Sequence, residues 1–279
     1  MNIHVRVFPT VFARDSRQSS TRMPKRRASA YDALDVAVAL LKRRDGIDKT
    51  LKLVRYAAIF AASEARGASN DASPFVSRAT ALEKSLGDAR RALRLGKFLG
   101  NVQEVRDAIR AHHSHRGSAL ARSTSAVAMC ALLEGVYYFL EQGVWLNKAG
   151  VALRDKSTLT RMVRWSARAE LLSYAFSVTI SVDDWRDARA RRIEAERILD
   201  DGETASARGG DVARARRDGR KAMLAIAQDV MDAVLSFEDA IDVPGVELGP
   251  ERFVNALALL AAALDFHGKL NAAIESLDS

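Results

Sequence analysis

The chain has 279 residues, 48% of them hydrophobic and 28% charged, which excludes general disorder and allows one sizeable core or two modest ones. Its one cysteine, Cys130, excludes an internal disulfide framework and any multi-cysteine metal site. The net charge of +8 sits mostly in residues 1–30, which carry +6, so the rest is close to neutral at +2. A nucleic-acid binder keeps its basic excess on the folded body, so no nucleic-acid partner is expected.

Residues 1–30 form a basic extension with a single acid, Asp15. Their Arg- and Ser-rich composition fits a transit-type leader and fits a solvated arm equally well; a start at Met23 is the third reading. From there the chain reads as helices. Between Lys25 and Val243 the only proline is Pro74, and Ala, Leu and Arg dominate. Helices are expected at about 32–43 and 47–66, the second with an apolar stripe of Ile47, Leu51, Val54, Ala58 and Ala61. A third is expected from Pro74 to about Ala111, with proline suited to its first turn. Long helices follow at about 119–149 and 157–182, the latter able to continue through the charged segment 183–200. The Gly-, Ser- and acid-rich run "DDGETASARGGD" reads as a flexible linker over 201–211. Helices at about 212–240 and 251–275 complete the chain. The expected organisation is thus the extension 1–30, a helical region 31–200, the linker, and a C-terminal helical hairpin in 212–279. The fold class is all-α, a multi-helix bundle with amphipathic membrane-associating helices.

Nothing in the sequence carries a recognisable catalytic constellation. There is no glycine-rich phosphate loop, nucleotide fingerprint, zinc spacing or nucleophile elbow, so neither an enzyme nor a cofactor is expected. The cluster His112, His113 and His115 reads as a solvated loop, and Cys130 as a packed core thiol.

Membrane crossing is left open by the sequence, and binding at a membrane surface is better supported. Residues 123–147 lack any base and are long enough to span hydrocarbon, but they contain Glu134 and Glu141, each costly at mid-membrane. The apolar runs 171–182 and 253–264 are short for spans and end at Asp183 and Asp265. The third helix is the most distinctive. Phe75, Ala79, Leu82, Leu86, Ala89 and Leu93 form one stripe, and beyond Gly96 the apolar positions Leu95, Phe98, Leu99 and Val102 shift to nearly the opposite side. Lys84, Arg90, Arg91, Arg94 and Lys97 fall in an arc between them, placed to snorkel toward lipid phosphates. Four bases near anionic lipid give about 4 kcal/mol, and half-burying four large apolar side chains adds about 3–6 kcal/mol. The same pattern also describes one face of a soluble bundle, and pattern alone favours that reading.

The stretch "SLGDARRALRLGKFL" resembles the signature helix of the peroxisomal biogenesis factor 11 family, with Ala89, Arg90, Arg91, Arg94, Leu95, Gly96, Lys97 and Phe98 in its motif positions. "DGIDKTLKLVRYAAIF" resembles the family's earlier element through Asp45, Gly46, Asp48, Lys49 and Tyr56, with Arg55 replacing a common glutamine. "YYFLEQGVWLNKAGV" looks like its central apolar helix, with Trp145 and Lys148 in place. The resemblance implies a peroxisomal membrane protein that inserts its basic amphipathic helix into one leaflet of an anionic phospholipid membrane, self-associates as a homo-oligomer, and elongates the organelle. It further implies a dynamin-related fission GTPase and a tail-anchored fission adaptor as partners. Two alternatives stay open: a membrane channel for small metabolites, and a soluble helical interaction module.

Overall fold

The computed structural model describes residues 32–68, 73–114, 119–152, 155–200, 205–241 and 248–277. These form α1 (Ala33–Leu41), α2 (Arg44–Ala68), α3 (Pro74–Leu93), α4 (Lys97–Ser114), α5 (Ala119–Lys148), α6 (Lys156–Asp200), α7 (Ala205–Ile241) and α8 (Glu251–Leu277), with no strand among the described residues. The all-α expectation holds.

Local chemistry sets the helix starts. Asp32 caps α1 by accepting from the Asp35 N–H at 2.7 Å. Ser73 caps α3, with Pro74 in the first turn. Asp155 accepts from the Thr158 N–H at 3.0 Å at the start of α6.

Two expectations need correction. The third helix is not continuous: it divides into α3 and α4 at Gly96, whose φ of 74° lies in the left-handed region that favours glycine. The shift of the apolar stripe at Gly96 is therefore the signature of two helices with different neighbours, since α3 packs on α2 and α4 on α5. Residues 205–211, read as linker, are the first turns of α7. Further along α7, Ala215 and Ala222 are buried with Ala188 of α6, and these small side chains let the two backbones approach. Residues 1–31 and 201–204 lie outside the described residues.

The helix neighbours form a ring. In order around it, α2 touches α8, α8 touches α7, then α6, α5 and α3 follow, and α3 returns to α2. Helix α4 lies outside on α5, and α1 lies against α8. The interior of this ring is not a conventional oily core. The residues at 0% exposure are small, namely Ala261, Ala262 and Ala273, and no large side chain is fully buried among the described residues. Asp48, Lys52, Arg90, Gln142, Asp232 and Asp265 are buried instead. Large apolar side chains face outward on nearly every helix, from Leu34 to Leu260.

Candidate membrane-facing surface and its charged interior

The two motifs singled out in the sequence meet in space. Asp48 on α2 accepts from Arg90 Nε at 3.0 Å and from Arg94 Nη2 at 3.2 Å. Arg94 also donates to Glu141 at 3.1 Å and to the Tyr137 hydroxyl at 2.9 Å, both on α5. Burial raises the Asp48 carboxyl, but Arg94 and Arg90 outweigh it and hold it well below the usual carboxylate range. A carboxyl lowered in this way supplies stability above the unfolded-state value of about 3.9, lost only as pH falls through the folded value. Its charge is therefore present at every physiological pH.

Neighbouring pairs extend the cluster. Lys49 reaches Asp265 on α8 at 2.6 Å, and Lys52 reaches Asp232 on α7 and Asp265, each at 3.0 Å. Lys97 lies 3.6 Å from Asp45 and 4.6 Å from the centre of the Tyr138 ring. Gly46 earns its place sterically, since a Cβ there would sit 2.0 Å from the Leu40 carbonyl oxygen. Tyr56 lines the interior cavity, Trp145 is half-buried, and Lys148 is exposed in the last turn of α5.

This geometry divides the residues expected to touch lipid. Arg90 and Arg94 point inward and are neutralised by Asp48 and Glu141, so their charges face carboxylates inside the protein. The reason is electrostatic: a buried carboxylate strands at large cost unless cations reach it. Arg91 and Lys97 are half-buried; Arg91 pairs with Asp88 at 3.0 Å. Lys84 is exposed. Among the apolar positions, Leu95, Leu99 and Val102 are 54%, 59% and 60% exposed, whereas Leu86, Leu93 and Phe98 are half-buried. Phe98 meets Phe139 of α5 edge-on at 5.5 Å. An apolar groove of about 320 Å³ lies between α4 and α5, with Phe98, Val102, Val136 and Phe139 among its walls.

Sequence reasoning missed Lys52, Tyr137, Asp232 and the pairing role of Glu141 and Asp265. The available signal was the placing of single acids within apolar helices, which the ring now explains. Helix α8 is long and apolar enough to cross a membrane by length and composition, although Asp265 interrupts it. That carboxylate is held by two lysines of α2. Cys130 is buried against the Ser173 carbonyl at 3.6 Å.

An all-α ring that buries ion pairs at its centre and turns large apolar side chains outward fits a membrane-associated protein. The chain belongs to the Peroxisomal biogenesis factor 11 (PEX11) family, whose model matches residues 34–261. It is 39% identical over 238 residues to Peroxisomal membrane protein 11-3 of Oryza sativa subsp. japonica, covering 84% of this chain and 87% of that one. Peroxisomal membrane protein 11-2 of the same rice is 31% identical over 258 residues, covering 91% and 95%. Peroxisomal membrane protein 11A of Arabidopsis thaliana is 31% identical over 244 residues, covering 85% and 92%. No solved structure matches.

Proposed function

We propose that this protein remodels and elongates the peroxisomal membrane by wedging the outer face of α3–α4 into one leaflet. Its place at the peroxisomal membrane rests on its family and on relatives named as peroxisomal membrane proteins. The family is one of biogenesis factors and not an enzyme class.

The observation that carries the reading is the outward exposure of Leu95, Leu99 and Val102, continuous with the groove between α4 and α5. Leu86, Leu93 and Phe98 lie behind them at intermediate depth. Inserting such a surface expands one leaflet relative to the other and favours positive curvature. Lys84, with Arg91 and Lys97 at the rim, supplies attraction to anionic phospholipid. The part of Arg90 and Arg94 in this scheme is structural: they clamp α3 to α2 and α5 so that the apolar side turns out. Self-association as a homo-oligomer would sum many small wedges, and the lengthened membrane would pass to a dynamin-related GTPase recruited with a tail-anchored adaptor.

The test replaces Leu95, Leu99 and Val102 together with Glu in the full chain, expressed in cells. Loss of peroxisome elongation, with an unchanged melting temperature of the detergent-purified protein, is the expected result. Undiminished elongation contradicts the reading. Glu substitutions at Arg90 and Arg94 are unsuitable for this purpose, because they would break the interior first.

A further inference from the structure

The centre of the ring holds a cavity of about 330 Å³, lined by α2, α3, α5, α6 and α7. That volume falls in the range of small-molecule sites, roughly 300–1,000 Å³. Its walls carry charges of both signs. Lys49, Lys52 and Arg55 from α2, with Arg90 and Arg91 from α3 and Arg94 at its end, supply its bases. Glu134 and Glu141 of α5, Glu170 of α6, and Asp229, Asp232 and Asp239 of α7 supply its acids.

Most of these charges satisfy one another across the cavity, as Lys52 does with Asp232 at 3.0 Å and Arg94 with Glu141 at 3.1 Å. Two demands are left over, and they are of opposite kind. The Nε–H of Arg94 is buried without an acceptor. The Glu170 carboxylate accepts from the hydroxyls of Tyr174 at 3.2 Å and Ser236 at 3.4 Å and feels the Arg94 charge without a direct ion pair, and Asp229 accepts from the Ser177 hydroxyl at 2.6 Å. A buried donor lacking an acceptor, and half-buried carboxyls that burial pushes up and that no cation directly pairs, each carry a cost.

We propose that this cavity is a binding site for a small zwitterionic solute, its carboxylate on Arg94 and its ammonium group between Glu170 and Asp229. One molecule bearing both charges satisfies both ends at once, which neither a simple anion nor a simple cation does. The inference goes beyond membrane shaping and does not depend on it, because the cavity faces the ring's interior and the wedge faces outward.

The test uses the full chain in lipid nanodiscs and equilibrium dialysis with radiolabelled 4-aminobutanoate. Butanoate and butylammonium serve as probes that carry one end each. Saturable binding of one 4-aminobutanoate per chain is expected, with each single-charge probe weaker by about tenfold or more. Glu170→Gln should weaken binding by a similar factor while the melting temperature holds or rises, since burial already disfavours the Glu170 charge. A purely structural role would move stability and not binding. Should Glu170→Gln lower the melting temperature, Asp229→Asn is read in its place with the same two outcomes. Absence of saturable binding overturns the proposal, as does equal affinity for butanoate or an affinity indifferent to both substitutions. Elongation of peroxisomes by Glu170→Gln should be normal, so failure here leaves the wedge reading intact, and the converse.

Discussion

The centre of the helix ring and the outer face of α3–α4 have exchanged the surroundings that a water-soluble bundle would give them. In the centre, Asp48, Arg90, Arg94, Lys52, Asp232 and Asp265 hold one another in pairs at 3.0–3.2 Å. On the outer face, Leu95, Leu99 and Val102 stand more than half exposed. In water this order would be unfavourable on both counts, since exposed apolar area costs about 25 cal/mol per Å² and buried ion pairs are weak stabilisers. Beside lipid the apolar face is at home, and the interior pairs gain importance because removing one partner strands the other.

The comparison can be broken most severely at its hub. Asp48→Ala leaves both Arg90 and Arg94 short of a carboxylate and should cost about 3–5 kcal/mol, or prevent folding, read as the denaturation midpoint in detergent. A loss under about 1 kcal/mol would show that the hub does not hold the ring. Gly46→Ala should cost about 1–3 kcal/mol by the same measurement, because α1 must move away from the new methyl group. Gly96→Ala forces an L side chain into a left-handed conformation at the α3–α4 junction, for about 1–2 kcal/mol. If instead it is neutral, the junction is not fixed by that backbone angle. The smallest effect belongs to a solvated pair on the charged half of α6, where Arg186 and Asp183 lie at 3.3 Å and are both exposed. Arg186→Ala should change stability by no more than about 0.5 kcal/mol, and a larger loss would mean that this half packs against something.

Much of the fold was legible because helix formation is local. The proline-free stretches, the Pro74 start and the charged continuation of the fifth helix expectation through Asp200 all appear as read. The linker expectation ran to residue 211 because Gly209 and Gly210 cost about 1 kcal/mol each in a helix, whereas α7 begins at Ala205. At the candidate site, sequence pattern placed Arg90, Arg94 and the leucines on different sides of a helix and stopped there. Which side faces inward depends on Asp48 and Glu141, respectively 42 and 47 residues away from the arginine each meets. No helical periodicity carries that information. The spacing of the D-G-x-D-K element and the R-x-x-R-L-G-K element also conceals that the two are halves of one cluster.

The most direct measurement is the environment of the outer face in a bilayer. A nitroxide at Leu99→Cys, in a Cys130→Ser background in anionic proteoliposomes, is compared with one at Asp88→Cys on the neighbouring helix. The account predicts that position 99 collides preferentially with oxygen and position 88 with a water-soluble nickel chelate. Preferential collision of position 99 with the chelate would contradict it, because the exposed leucines would then face water.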